Sequence, residues 1–136
     1  MITRLAHICI GASDLEATER FYCGGLGLKR GFEFIKDGRV IGFYLAVGGG
    51  NYIEVFHSAE ADVQARAPIK HICLEVTDID RVIAALRTGG YEVSDKRMGA
   101  DGAWQAWTKD PGGVDIEFHQ YTPNCCQLTG APCRLD

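Results

Sequence analysis

The sequence has no excess of basic residues and no long apolar run. Its 18 aspartate and glutamate residues outnumber its 14 lysine and arginine residues, which gives a formal charge of −4. That balance provides no basic field for nucleic acid or for an anionic membrane surface. No apolar stretch approaches the roughly 18 residues that a membrane-spanning helix needs. We therefore expect neither a nucleic-acid partner nor membrane association.

We also expect no export signal, because Met1–His7 leads directly into a strand-like apolar pattern. We therefore expect a cytoplasmic protein whose six cysteines stay reduced instead of forming disulfides. Cys9 and Cys73 recur at matching places in two strand patterns, which favours small, buried residues. The three cysteines near the C-terminus fit no standard zinc spacing, and we predict a loosely ordered tail over residues 122–136.

One pattern is written twice along the chain. His7–Ile10 matches His71–Leu74 at an offset of 64 residues, and Ile53–Phe56 matches Ile116–His119 at an offset of 63. Two matching pairs at nearly the same offset indicate a duplicated module. Each copy begins on a histidine in a strand and finishes on a glutamate in a strand.

Apolar periodicity and glycine-rich turns predict the order β-α-β-β-β in both copies. The expected strands cover residues 4–11, 31–36, 39–47, 51–57, 69–76, 91–96, 103–109 and 114–121. Ser13 and Thr77 have an acidic residue three places on, which predicts that each begins a helix as a capping residue. Asp37 and Gly38 are typical of a two-residue hairpin turn.

These elements predict an α+β fold of two tandem βαβββ modules that form a curled, barrel-like mixed sheet with helices outside. The predicted modules cover residues 1–57 and 69–121, with a linker over 58–68. Two such small modules leave apolar sheet edges and faces to cover, so we expect a homodimer.

Alternation along the strands turns both strand glutamates away from the apolar core side. An ionised glutamate in a central strand is costly unless something compensates its charge. Two glutamates and two strand histidines in matching positions are best compensated together, by one divalent cation bound to His7, Glu54, His71 and Glu117. Imidazole and carboxylate ligands suit Ni, Co, Zn, Mn or Fe(II) better than calcium or copper(I). Alternatively, the duplication alone preserved these residues.

Other candidate residues point to chemistry less clearly. His119 shares a face with Glu117, so either a supporting or proton-shuttling role or a simply packed or solvated histidine fits. Ser13 has no partner base, which gives a hydrolase triad little support. The glycines of Gly24–Gly27 end a helix, whereas those of a dinucleotide-binding motif must open one.

On these residues the chain resembles the vicinal oxygen chelate superfamily, whose paired βαβββ modules curl around a metal ion. The resemblance covers residues 4–121 and is carried by His7–Tyr22 and Trp107–Glu117. The second segment contains a turn similar to the superfamily's recurrent Asp-Pro-Asp-Gly. Within the superfamily, the His/Glu/His/Glu set resembles glyoxalase I, or lactoylglutathione lyase.

This resemblance implies that His7, Glu54, His71 and Glu117 bind a divalent ion, with Ni, Zn or Co favoured over Mn or Fe. It implies a metal-dependent lyase or isomerase that transfers a proton through a metal-bound enediolate. The implied substrate is a small 2-oxo-aldehyde thiol adduct or a related oxygenated molecule, with Glu117 as the principal base and Glu54 as the opposing carboxylate. Two alternatives stay open: another enzyme of the superfamily (a dioxygenase, an epimerase or a resistance transferase), and a metal-free small-molecule binding protein.

The sequence departs from glyoxalase I where that family binds glutathione. Gly11 and Ala12 stand where bacterial members have an arginine for the glutathione carboxylate, and Ser58 stands near an expected asparagine. The resemblance therefore does not imply glutathione as the thiol.

Overall fold

A computed structural model of the chain describes residues 7–59, 71–129, 131 and 133. The first half contains β1 (His7–Ala12), α1 (Leu15–Glu19), β2 (Lys29–Lys36), β3 (Arg39–Gly48) and β4 (Asn51–His57). The second half contains β5 (Ile72–Glu75), α2 (Ile79–Thr88), β6 (Arg97–Met98), β7 (Trp104–Lys109), β8 (Asp115–Gln120) and α3 (Cys126–Thr129). Within the described ranges, none of the helices has the length and apolar character needed to cross a membrane.

Each half forms a four-stranded mixed sheet, with the orders β1-β4-β3-β2 and β5-β8-β7-β6. In both sheets the first strand pairs in parallel with the last, and the other pairs are antiparallel. The identical topology confirms the predicted α+β fold of two βαβββ modules.

The chain divides into two compact units. The first contains the N-terminal half together with Asp110–Val114, and the second contains the rest of the C-terminal half. The predicted module boundaries stay predictions, and the predicted linker over 58–68 lies almost entirely outside the described residues.

The first unit buries one face of its sheet beneath α1 and the π-helical segment Arg20–Gly25 that continues it. Apolar residues that alternate along β3 and β4 provide the sheet side of this core, and aromatic residues of the helical segment provide the other side. Burying one such side chain contributes about 1.5–3 kcal/mol. The fully buried residues include Phe21, Tyr22, Phe43, Leu45, Ile53 and Val55. Glu54, between two core residues of β4, therefore faces away from this core.

The helix caps differ from the sequence prediction by one residue in both copies. Asp14 accepts a hydrogen bond from the Ala17 amide at 2.9 Å, and Asp78 accepts one from the Arg81 amide at 3.0 Å. Both aspartates have extended backbones, which aim the carboxylate at the amide three residues on. The prediction of Ser13 and Thr77 as caps was wrong, because the aspartate that follows each of them takes that role.

The predicted strand over residues 91–96 was also wrong. Only Val93 forms an isolated bridge there, with Thr108, and the edge strand is instead the two-residue β6. Side-chain hydrogen bonds replace part of the ladder, since the Ser94 hydroxyl accepts from the Trp107 amide and Arg87 donates to Asp95.

Residues 122–129 are ordered, against the prediction of a loose tail over residues 122–136, most of whose last seven residues lie outside the described ranges. The Thr122 hydroxyl donates to the Gly102 carbonyl at 2.8 Å, and the Cys126 amide donates to the Asp101 carbonyl at 2.8 Å. Cys125 is fully buried between these contacts and α3. Tertiary hydrogen bonds therefore fix a segment whose own sequence has little periodicity.

The predicted hairpin turn between β2 and β3 is confirmed. Asp37 and Gly38 both have positive φ angles, 50° and 71°. This pair of left-handed residues matches the right-handed twist of the two strands that it joins.

Candidate metal centre

The first unit brings His7 and Glu54 together. Parallel pairing of β1 with β4 places Cys9 opposite Glu54, and His7 lies two residues before Cys9 on the same face of the strand. The His7 Nε2 atom lies 3.6 Å from the Glu54 Oε2 atom.

The second unit repeats this arrangement with His71 and Glu117. Parallel pairing of β5 with β8 places Cys73 opposite Glu117, and His71 Nε2 lies 3.1 Å from Glu117 Oε2. Glu117 is buried, with 7% of its surface exposed. The structure thus joins the predicted site residues in pairs, one pair in each unit. That all four bind one ion stays a prediction.

An aromatic residue lies beside each His–Glu pair. Tyr44 on β3 is in register with Glu54, and Trp107 on β7 is in register with Glu117. Tyr44 Oη lies 3.2 Å from His7 Nδ1, and the Trp107 ring centre lies 4.9 Å from that of His71. The repeat offset of 63 residues relates Tyr44 to Trp107 and was the signal that could have identified Tyr44.

Cys9 and Cys73 are exposed, so the prediction that they are buried was wrong. Strand alternation places each of them on the face of the histidine two residues earlier, and that face lies opposite the core. Desolvation and the neighbouring Glu54 raise the pKa of Cys9 to about 11. Desolvation and Glu117 likewise raise the pKa of Cys73 to about 12. Without a bound metal ion, both thiols are therefore protonated near neutral pH.

His119 lies against the other oxygen of Glu117. Its Nε2 atom is 2.9 Å from Glu117 Oε1 without hydrogen-bond geometry, and its ring is buried, with 8% of the residue exposed. Donor atoms of Cys73, Glu117 and His119 lie within 4.8 Å of one another, a spacing that could hold a metal ion. Of the two interpretations from the sequence, this contact favours a supporting role for His119.

Asp101, which sequence analysis missed, lies behind His119. Its Oδ2 atom is 3.9 Å from His119 Nδ1 and accepts a hydrogen bond from Gln127 of α3. Burial acts to raise the pKa of Asp101, but hydrogen bonds from Gln127 and the Ala103 amide, together with His119, outweigh it and lower that pKa. An ionised carboxylate therefore faces the ring of His119 from the side opposite Glu117.

The donor set fits a divalent transition-metal ion. In the described part of the chain, neither Glu54 nor Glu117 forms an ion pair with lysine or arginine, and the nitrogen atoms recorded beside their carboxylates belong to histidines. Two buried polar atoms beside the second pair, His119 Nε2 and Trp107 Nε1, have no hydrogen-bond partner. A buried carboxylate and buried nitrogen atoms without hydrogen-bond partners raise the free energy of the folded state. A cation bound to the carboxylate would offset part of this unfavourable free energy.

The chain belongs to the Glyoxalase/Bleomycin resistance protein/Dioxygenase superfamily, whose sequence model matches residues 4–118. Members of this superfamily commonly bind divalent metals and small-molecule substrates or ligands. The family assignment confirms the resemblance stated from the sequence. No curated protein matches the chain significantly.

Solved structures share the fold at low sequence identity. A glyoxalase family protein from Enterococcus faecalis is 28% identical, with a TM-score of 0.71, over 86% of this chain and 97% of its own. A lactoylglutathione lyase from Agrobacterium tumefaciens is 19% identical, with a TM-score of 0.67, over 88% and 94%. An antibiotic binding protein from a Streptomyces species is 19% identical, with a TM-score of 0.72, over 89% and 98%. Enzymes and binding proteins thus share this fold.

Proposed function

We propose that the protein is a metal-dependent lyase or isomerase of the glyoxalase I type, in which His7, Glu54, His71 and Glu117 bind one divalent ion. One observation carries this proposal: each unit presents a histidine beside a carboxylate on the strand face opposite its core, at 3.6 Å and 3.1 Å. Ni, Zn and Co suit this set of imidazole and carboxylate ligands, with Mn and Fe as further candidates.

When bound, the ion would supply positive charge beside two oxygens of a substrate, where negative charge develops during proton transfer. Glu117 is the base in this proposal: it takes a proton from the carbon next to a carbonyl and returns it to the neighbouring carbon. His71 and His119 lie beside its two oxygens and fix its orientation. Positioned base catalysis of this kind contributes on the order of 10²–10⁴-fold. Glu54 is the opposing carboxylate.

The proposed substrate is a small 2-oxo-aldehyde thiol adduct or a related oxygenated molecule. We further propose that the protein acts in the cytoplasm as a homodimer. The site residues do not specify the thiol, because Gly11 and Ala12 offer no side-chain cation for a glutathione carboxylate.

A second candidate function is sequestration of a small molecule without turnover. The structural similarity to an antibiotic binding protein is the observation that favours it. The two candidates differ in their need for metal, since sequestration would persist after chelation. A dioxygenase on the same scaffold would instead require Fe(II) and consume oxygen.

The test is an activity assay of protein purified without chelator and then loaded separately with Ni, Zn, Co, Mn or Fe(II). Methylglyoxal and phenylglyoxal, each mixed with several thiols, serve as substrates, and the hydroxyacyl thioester product is followed. We expect turnover with at least one thiol that disappears on metal removal and returns on reloading. Absence of turnover with every metal and thiol would contradict the lyase assignment.

A further inference from the structure

We propose that the open face of the first unit's sheet binds a planar aromatic ring, so that the substrate is an aromatic compound with adjacent oxygen donors. This inference rests on the proposed function and specifies its substrate class. The feature is a group of rings in mutual contact beside the His7–Glu54 pair, which we term the aromatic cluster: Phe32, Phe34, Tyr44, Tyr52 and Phe56.

Tyr44 lies at the centre of the aromatic cluster. Phe32 stacks on it with ring centres 4.4 Å apart and an interplanar angle of 24°. Phe34 and Tyr52 contact the same ring at 5.7 Å and 5.5 Å. Phe56 joins through Phe34, with ring centres 4.5 Å apart. The rings therefore form one continuous surface.

Glycine at position 42 allows the two ends of this surface to meet. Gly42 on β3 is in register with Phe34 on one side and Phe56 on the other. A Cβ atom added there would lie 2.9 Å from the Phe56 ring and 2.4 Å from the Val55 carbonyl oxygen. Only glycine leaves the space in which the two rings approach each other.

The aromatic cluster is separate from the core of its own unit. Strand alternation puts Tyr52 and Phe56 on the face of Glu54, opposite the buried residues Ile53 and Val55. Phe32 is 60% exposed and Tyr52 is 39% exposed. Contiguous exposed apolar surface of this kind is typical of ligand-binding grooves and other contact surfaces. A bound ring would bury it and gain stacking contacts.

The second unit shows that the fold does not require these rings. Phe56 corresponds to His119, and its cross-strand partner Gly42 corresponds to Gln105. Tyr52 corresponds to Asp115. These equivalent positions of the duplicated sheet are thus polar or charged, whereas Tyr44 corresponds to the aromatic Trp107. The rings around Tyr44 are therefore a feature of the first unit and indicate a specific ligand.

The aromatic cluster adjoins the proposed ligand pair. The Tyr44 ring contacts the His7 ring edge to face, with centres 5.6 Å apart, and Tyr44 is in register with Glu54. A ligand whose oxygens were held at this pair would have its attached ring within reach of Tyr44 and its neighbours. The substrate class is therefore an aromatic ring bonded directly to the oxygen-bearing group.

Two hydroxamates test this inference without requiring turnover. Benzohydroxamate and acetohydroxamate share the chelating group, and only the first carries a ring. We expect calorimetric titration of the nickel-loaded protein to show that benzohydroxamate binds at least about tenfold more tightly than acetohydroxamate. One buried aromatic contact contributes enough binding free energy for a difference of this size. Equal affinities would overturn the aromatic inference and leave the metal site standing. Binding of neither compound would overturn the proposed metal site and this inference together.

Variants on β2 assign the preference to the aromatic cluster. Phe32→Leu removes an exposed ring, and the affinity ratio of the two hydroxamates should fall to about threefold or less. Phe34→Leu should act in the same direction. Leu128→Ala is the control, because Leu128 is a comparably exposed apolar residue, 62% exposed, on α3 of the second unit, and the ratio should keep its wild-type value. A ratio that stays at the wild-type value in both phenylalanine variants would contradict the inference.

Discussion

Glu54 and Glu117 occupy equivalent places in the two units, but their surroundings differ. Glu54 has one histidine nearby, whereas Glu117 lies between two, with His71 at 3.1 Å from one oxygen and His119 at 2.9 Å from the other. A carboxylate that is contacted at both oxygens occupies fewer side-chain rotamers. It therefore loses less conformational entropy when it takes up the geometry needed for reaction. This difference is the physical reason for assigning the base role to Glu117.

Replacing Glu117 with glutamine removes the base and keeps the shape of the side chain. We expect kcat to fall on the order of 10²–10⁴-fold, the usual contribution of a positioned base. Circular dichroism should show an unchanged fold. Glu92→Gln, an exposed substitution in the same unit, is the control. Wild-type kcat in Glu117→Gln would remove this residue from the mechanism.

His119 should tune the site through Glu117. Asparagine at this position can still donate toward Asp101, but it cannot reach Glu117 as the Nε2 atom does. We expect His119→Asn to weaken metal affinity by roughly 10–100-fold, as loss of a partner of a metal ligand does. Competition with a chromophoric chelator measures this affinity. His57→Asn, an exposed control, should bind metal as the wild type does, and an equal affinity in both variants would contradict the role of His119.

At the scale of elements, the positions of the two His–Glu pairs could be predicted because these residues lie in regular strands. Residues of the site that lie in irregular segments could not be predicted. Alternation fixed the faces of Glu54 and Glu117 because both lie inside long ladders. Asp101 escaped prediction because a loop and the short helix α3 position it through hydrogen bonds. Cys9 and Cys73 were predicted to be buried because they recur in two strand patterns, although their spacing from His7 and His71 places them on the face of the ligand pairs.

The α2 cap gives a direct test of the corrected helix start. Asp78→Ala removes the hydrogen bond to the Arg81 amide and should lower the free energy of unfolding by about 0.5–2 kcal/mol. Thr77→Ala alters the neighbouring, exposed residue and should change it by less than about 0.5 kcal/mol. Urea denaturation of both variants measures the difference. A larger effect from Thr77→Ala would restore the cap predicted from the sequence.

The turn between β7 and β8 should make stability depend on pH through Asp110. This buried carboxylate accepts hydrogen bonds from the Tyr22 hydroxyl at 3.0 Å and the Val114 amide at 2.8 Å. Burial raises the pKa of Asp110 despite these bonds. The folded state therefore holds this proton more tightly than the unfolded state, whose pKa is about 3.9. The resulting stability is present below that value and is lost as the pH rises through the folded pKa.

Asp110→Asn removes this titration and keeps the size of the side chain. The melting temperature of the wild type minus that of the variant should be greater at pH 4 than at pH 8. Thermal denaturation followed by circular dichroism in both buffers measures this difference. A difference that is constant or that increases with pH would contradict the assignment.

At the scale of the whole molecule, duplication supplied two copies of one scaffold that then diverged. Both units keep a histidine, a cysteine, a glutamate and an aromatic residue at corresponding positions across three strands. Around these shared positions, the first unit carries the aromatic cluster and the second carries His119 and Asp101. The proposed division of labour follows: one unit binds the ring of the substrate, and the other holds the base.

The central claim is that both His–Glu pairs serve one ion, and metal stoichiometry tests it most directly. Nickel titrated into chelator-treated protein should bind tightly at one ion per chain, whether the ligands come from one chain or from two. Glu54→Gln and Glu117→Gln should each weaken that single site. Two equivalent ions per chain, or wild-type affinity in either variant, would show that the pairs act separately and would contradict the account.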